Sequence, residues 1–346
     1  MRRLLNTLYV TSEGAWLKKD SANVVMMIEG EERGRLPAHM LESVVCFGRV
    51  LVSPPLMAYC CEQGIAISYF TQNGRFQARV EGPVSGNVLL RRTQYRATDN
   101  PELCVPIIRH VLIGKIYNQR TVARRRLRDG GDRLNSPQRD ALETTVDQLA
   151  RIGKRLQTSN EADTLRGLEG EAAQRYFSSF SALINHSGES FAFSGRNRRP
   201  PRDRVNAALS FVYTLLTHDC RSALEQTGLD NQVGFLHRDR PGRPSLALDL
   251  AEEFRPILAD RLVLTLINRR QLKHDDFSIA ESGAVLLTDD SRKTVLTAYQ
   301  ERKREEITHP FLEETAPFGL LPAIQAQLLA RHLRGDLDAY PPFIWS

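Results

Sequence analysis

The chain is short of several features, and each shortage removes a class of function. Five cysteines, Cys46, Cys60, Cys61, Cys104 and Cys220, are an odd number, and none stands in a CxxC pair, so neither a disulfide scaffold nor a zinc ribbon is implied. Cys46, Cys60 and Cys61 lie in apolar segments and read as small core residues. No apolar run approaches the roughly 20 residues that a membrane-spanning helix needs. The opening MRRLLNTLYV places two arginines before apolar residues, but alternation starts at once and no cleavage pattern follows. That segment reads as a strand rather than a leader, with the cytoplasm as the expected compartment. Also missing are GxxxxGK, HExxH, GxSxG and a GxGxxG following a strand, which sets aside P-loop nucleotide hydrolysis, zinc proteolysis and serine hydrolysis.

What is present is an ordinary globular composition, 41% hydrophobic and 25% charged over 346 residues, with room for two cores. The formal charge of +6 is modest, but arginine is clustered. One cluster holds Arg91, Arg92 and Arg96; a second holds Arg120, Arg124, Arg125, Arg126 and Arg128. A third runs through Arg196, Arg198, Arg199, Arg202 and Arg204, and a fourth through Arg238, Arg240 and Arg243. Any one of these could be a solvated helix face. Four together, dominated by the residue whose planar fork suits phosphate, point to a polyanionic partner.

The first eighty or so residues read as β structure. Short runs rich in Val, Ile, Tyr and Phe at 4–10, 24–28, 44–46, 65–70 and 75–80 are separated by turn signals, among them Asn73-Gly74, a hairpin signature. A helix over 54–63, closed by Gly64, interrupts them. From Pro101 the period becomes helical, with helices expected over 101–128, 137–156, 162–183, 204–226, 246–267, 291–306 and 321–333. Ser136-Pro137 and Asp203 are the expected caps of two of these helices. Strands first and helices second argue for separate domains: a small β-sandwich over 1–84, a linker over 85–100 with a short helix expected over Val88 to Tyr95, and an all-helical domain over 101–346.

Two segments can carry chemistry. In LRGLEGEAAQRYF, Gly167 and Gly170 weaken a helix by about 1 kcal/mol each relative to alanine, and close approach of another helix or a ligand is the usual reason. Glu169 shares its face with Leu165, Ala172, Ala173 and Tyr176, and a carboxylate on an apolar face must be paired, protonated or bound to a cation. Glu171 points to the other side, toward solvent. In GFLHRDRPGRPSLALDLAEEFRP, His237 ends an apolar stretch, an arginine-rich loop follows, and Ser245 is placed to cap the next helix. Asp249 and Glu252 then stand three apart on one face, two like charges that a divalent cation would reconcile. An isolated His beside an apolar run is more often a core histidine; the neighbouring arginines, which would bring phosphate to it, favour a site. Carboxylates with one imidazole suit Mg²⁺ or Mn²⁺ better than zinc.

These two segments, with PPRDRVNAALSFVYTLL between them, resemble the CRISPR-associated integrase family. LLNTLYVTSEGAWL and VSGNVLLRRTQYR look like the version found in type I-C systems, so the resemblance spans nearly the whole chain. It implies an N-terminal β domain, a helical catalytic domain, and a homodimer formed through the β domains. Two such dimers would be bridged by a small companion protein. Matched by motif, Glu169, His237 and Glu252 are the implied metal ligands, Asp249 holds an accessory acidic position, and Asn206 and Tyr213 are supports. The implied reaction is Mg²⁺- or Mn²⁺-dependent attack of a DNA 3′-hydroxyl on a phosphodiester, or of water in its place. It makes Tyr176 unnecessary as a covalent nucleophile. Arg238, Arg240 and Arg243, with Arg196, Arg198 and Arg199, are the candidate DNA contacts. Two rivals share much of this sequence logic: a metal-dependent repair nuclease for branched DNA, and a catalytically silent nucleic-acid-binding relative.

Overall fold

The computed structural model describes all residues except 1–5, 83–87, 131–133, 186–188, 198 and 346. The chain divides into two compact units, Met1–Ser85 with Arg292–Arg304, and Gly86–Ser291 with Glu305–Ser346.

In the first unit, strands β1 (Asn6–Val10), β2 (Trp16–Asp20), β3 (Asn23–Ile28), β4 (Glu31–Pro37), β5 (Leu41–Phe47) and β6 (Leu51–Val52) precede helix α1 (Pro54–Gln63). Strands β7 (Ala66–Phe70) and β8 (Phe76–Val80) follow it. They form two four-stranded sheets, in the orders β1-β5-β7-β8 and β4-β3-β2-β6. Val10, Val44, Cys46 and Ile67 of one sheet share a core with Leu17, Val24 and Val52 of the other. Glycines stand where the turn signals required a left-handed residue: Gly64 closes α1 at φ 70° and Gly74 makes the β7–β8 hairpin turn at φ 78°. Three strands escaped the sequence reading for a physical reason. β4, EERGRLP, is an edge strand with no buried residue, β2 buries only Leu17, and β6 is two residues long, so none carries an apolar alternation.

The second unit is helical. Helix α2 (Val88–Asp99) occupies most of the stretch expected to be a linker, and buries Leu90, Gln94 and Ala97. It is followed by α3 (Pro101–Gly130), α4 (Ser136–Thr158), α5 (Ala162–Ser178), α6 (Arg204–Thr227), α7 (Ser245–Phe254) and α8 (Arg261–Asn268). The expected helix over 162–183 ends at Ser178, and its last residues form a 3₁₀ turn, Phe180–Leu183. The expected single helix over 246–267 is interrupted between α7 and α8 by a π-helical turn, Arg255–Asp260, which contains Pro256, a residue with no N–H to give the ladder.

Strands β9 (Phe277–Ile279) and β10 (Val285–Leu287) form a small ribbon. Next comes α9 (Asp289–Arg304), whose residues from Arg292 onward belong to the first unit. There Gln300 Nε2 donates to the Thr7 carbonyl at 3.1 Å and Arg304 to Asn6 Oδ1 at 3.2 Å. The 101–346 segment is therefore not one continuous helical domain. Strands β11 (Glu306–Thr308) and β12 (Thr315–Pro317) and helix α10 (Leu321–Leu333) complete the second unit. No helix among the described residues is long and apolar enough to cross a membrane.

Caps agree with expectation only in part. Asp203 Oδ1 accepts from Asn206 N at 2.8 Å, as its position before α6 foretold. At α4 the cap is Asn135, not Ser136; its side chain accepts from Gln138 N, and Gln138 Oε1 accepts from Asn135 N. Ser245 is the first residue of α7 rather than its cap, and its hydroxyl donates to the Arg238 carbonyl at 3.3 Å. The Asn231 carbonyl takes the free N–H groups of Leu246 and Ala247 instead.

Candidate metal and DNA site

Three segments far apart in the sequence meet at the side chain of Lys115. Helix α3 delivers it, almost wholly buried; α5 delivers Glu169 and α7 delivers Glu252. Lys115 Nζ donates to Glu169 Oε1 and lies 2.8 Å from Glu252 Oε2. The other oxygen of Glu252 meets the Arg255 guanidinium and stands 3.8 Å from His237 Nε2. Burial works to raise the Glu252 pKa, but Arg255, Lys115 and His237 outweigh it and hold the carboxyl well below its usual range. Burial likewise opposes the charge on Lys115, and the carboxylates of Glu252 and Glu169 overcome it, raising its pKa above the ordinary lysine value.

His237 belongs to a loop with no regular structure, and Asp249 holds it there. One Asp249 oxygen accepts from the N–H groups of Phe235 and Leu236 at 2.6 and 3.0 Å. The other meets His237 N at 2.9 Å and His237 Nδ1 at 2.6 Å. An ionised Asp249 requires a proton on Nδ1, which leaves Nε2 as the bare nitrogen on the Glu252 side; the tautomer is assigned from this hydrogen-bond pattern. Asp249 thus orients the ring, and its conflict with Glu252 is relieved by separate partners: the His237 loop for one, Lys115 and Arg255 for the other. Gly234 is needed here, because a Cβ would come within 2.9 Å of Asp249 Oδ2 and 2.8 Å of Ser245.

Sequence reasoning missed Lys115, which stands as one cation in the largely apolar stretch HVLIGKIY, with no charged neighbour in sequence to mark it. It also missed two residues that brace the loop. Arg166, one turn before Glu169, donates to the carbonyls of Leu236 at 2.7 Å and Phe235 at 3.2 Å. Gln94, fully buried on α2, donates to the carbonyls of Asp230 and Val233 and accepts from Asp230 N. Gln94 stands in an arginine-rich run that gives no sign of its burial.

Other expectations fare unevenly. Leu165, Ala172 and Tyr176 are buried, as the face containing Glu169 requires, and Glu171 lies on the outside, 2.8 Å from Arg155. Gly167 and Gly170 are not explained by packing: a Cβ at either would meet nothing within 4 Å. Tyr176 is fully buried with its hydroxyl on Asp260 at 3.1 Å, so it is no exposed nucleophile; Tyr213 donates to the same carboxylate at 2.6 Å. Asn206 braces Arg196, whose guanidinium donates to Asn206 Oδ1, Ser210 Oγ and the Asn197 carbonyl, so Arg196 is a strut of the fold. Arg199 and Arg240 are exposed, Arg238 pairs with Asp163 at 2.7 Å on the surface, and Arg243 is half-buried in the same loop. Arg198 lies outside the described residues.

Among the described residues, no three of His, Cys, Asp and Glu stand together as a ready metal cage. The donor set nevertheless fits a hard divalent ion. Glu169 and Glu252 offer carboxylate oxygens, and His237 offers Nε2.

The model of the CRISPR-associated protein Cas1 family matches residues 8–301. The chain belongs to the Cas1 family. It is 59% identical to a CRISPR-associated endonuclease Cas1 of Rhodospirillum rubrum and 52% identical to one of Chlorobaculum tepidum, in each case over 100% of both chains. The structure of a Cas1 protein from Thermotoga maritima superimposes with a TM-score of 0.81 at 25% identity, covering 96% of this chain and 97% of that one. The β-rich first unit and helical second unit are thus the Cas1 fold.

Proposed function

We propose that this Cas1 protein is a divalent-metal-dependent DNA integrase and endonuclease that inserts short DNA fragments into a CRISPR repeat array. What supports the reading is that Lys115 links Glu169 to Glu252 while His237 Nε2 lies 3.8 Å from the other Glu252 oxygen, the three acidic and imidazole groups coming from segments 68 and 15 residues apart in sequence, beside an arginine-rich loop. In the reaction a fragment's 3′-hydroxyl oxygen bonds to phosphorus while the target strand's P–O3′ bond breaks, and the proton passes to the departing 3′-oxygen. Water as the attacking group gives hydrolysis. Mg²⁺ or Mn²⁺ held by Glu169, His237 and Glu252 would supply Lewis-acid stabilisation of charge on the phosphoryl oxygens.

The chain's own groups prepare that site. Asp249 fixes the His237 ring with Nε2 unprotonated toward Glu252, and Arg166 anchors the loop that carries it. Arg255 and Lys115 keep Glu252 ionised where burial would otherwise protonate it. Arg199, Arg238, Arg240 and Arg243 hold backbone phosphates with little regard to sequence. The reading includes a homodimer built on the β-rich units, a small companion protein bridging two dimers, a type I-C setting and a cytoplasmic location.

The test is strand transfer of a labelled fragment into a repeat-containing plasmid with Mn²⁺ or Mg²⁺, set beside DNA affinity by anisotropy. Glu169→Ala and His237→Ala are expected to abolish transfer while binding persists. Transfer that continues unchanged in both variants overturns the site.

A further inference from the structure

Lys115 is an unusual occupant for a metal centre. Its ammonium lies between Glu169 and Glu252, two of the residues that would hold a divalent ion, and only 7% of its side chain is exposed. The helix beneath it has little freedom. Asn118, one turn on, donates to the Glu253 and Phe343 carbonyls at 2.8 and 2.9 Å, and Gly114 packs against Glu253 and Pro342 so closely that a Cβ would meet them at 3.1 and 3.2 Å. The lysine's four-carbon stem is the part that can move. Glu169, with 29% of its side chain exposed, marks the open side of the site.

We propose that Lys115 is a resident cation: it holds Glu169 and Glu252 together in the metal-free protein and is displaced toward the open side when a divalent ion enters. This rests on the metal-site reading above. Glu169 and Glu252 carry two negative charges, and the ammonium and the Arg255 guanidinium already balance them. A divalent ion held by Glu169 and Glu252 would share these carboxylates with the Lys115 ammonium in a low-dielectric setting, where like charges repel strongly. Retreat of the ammonium removes that conflict. While the ammonium stays, it bridges the two carboxylates and keeps their oxygens facing one another across the site. Lys115 is in this sense a positioning residue that sets metal affinity.

The experiment is Mn²⁺ calorimetry at fixed pH on metal-stripped full-length protein, comparing wild type, Lys115→Met and His237→Ala. Removing the competing charge is expected to tighten Mn²⁺ binding by about tenfold or more in Lys115→Met, and to lower the melting temperature of the metal-free form more than that of the Mn²⁺-saturated form. Binding no tighter than wild type overturns the proposal. A second measurement needs no variant: reductive methylation of Lys115, followed by mass spectrometry, should rise severalfold when Mn²⁺ saturates the wild-type site. Unchanged labelling also overturns it. Should wild type bind no Mn²⁺, or His237→Ala bind it equally well, the metal-site reading itself fails. If wild type binds and His237→Ala does not, a negative result with Lys115 condemns the exchange alone.

Discussion

Glu252 and Glu253 are neighbours on α7, equally buried, and are driven in opposite directions. Glu252 faces cations: Arg255 and Lys115 hold it well below the usual carboxylate range. Glu253 faces neutral donors: the Tyr340 hydroxyl at 2.6 Å, Phe343 N at 2.6 Å and Gln325 Nε2 at 3.0 Å. Three such donors do not offset its desolvation, and burial pushes its pKa up to about 8. Burial does not decide whether a carboxylate is charged; the charge of its partners does. A rotation of about 100° around one helix separates a charged group, the proposed metal ligand, from a carboxyl that pins the C-terminal segment. That segment, Tyr340 to Trp345, is held along its length: Trp345 N donates to Asn118 Oδ1 at 2.8 Å, and its ring lies against the guanidinium groups of Arg125 and Arg261.

The strongest way to break the comparison is to neutralise each carboxylate in turn. Glu252→Gln is expected to lower the strand-transfer rate by about 10³-fold or more, since the proposed metal ligand and the counter-charge of Lys115 and Arg255 disappear together. Glu253→Gln should leave the rate within about tenfold of wild type, because its partners are the tail and α10 rather than the site. Equal losses in the two variants would show that the two faces of α7 do not have separate roles.

A smaller effect separates the two by pH. Glu253 titrates near 4.5 when unfolded and near 8 when folded, so the folded protein holds the extra proton between those values. Its contribution to stability is fully present below about pH 4.5 and is lost as pH rises toward 8, by up to about 1.4 kcal/mol per pH unit. Melting temperature measured across this window should fall more steeply for wild type than for Glu253→Gln, which cannot ionise. Parallel profiles would mean that Glu253 is already ionised at neutral pH. Tyr340→Phe, which removes one donor from the buried carboxyl, should cost about 1–3 kcal/mol of stability.

The same contrast explains what could be read from the amino acids alone. Glu169, His237 and Glu252 stand out in the sequence as candidates because ionisable groups lie in apolar or arginine-rich surroundings and match a family pattern. The hairpin at Asn73-Gly74 and the helix closed by Gly64 were legible because turn chemistry is local. Lys115, Arg166 and Gln94 were not legible, since each acts on a partner 54 or more residues away and no local pattern records such contacts. The pairing of Glu253 with the C-terminal segment was hidden for the same reason. Strand β4 was missed because an exposed edge strand needs no apolar alternation, and the π turn before α8 because helical periodicity blurs across one added residue.

The smallest expected effect concerns α5, which carries Glu169. Gly167 and Gly170 are exposed, in helical conformation, and have nothing within 4 Å of where a Cβ would stand. Within the protein, then, they cost helix stability without a packing return. Gly170→Ala should therefore stabilise the fold by about 0.5–1 kcal/mol, measured by denaturant titration. If DNA approaches α5 across the side that carries Gly170, the bare backbone there leaves room for it. On that argument the more stable variant binds fragment DNA more weakly and transfers it more slowly. Gly170→Ala that gains stability and keeps full transfer would show that the glycine serves neither packing nor approach. It would also confine the functional surface of α5 to Glu169 itself.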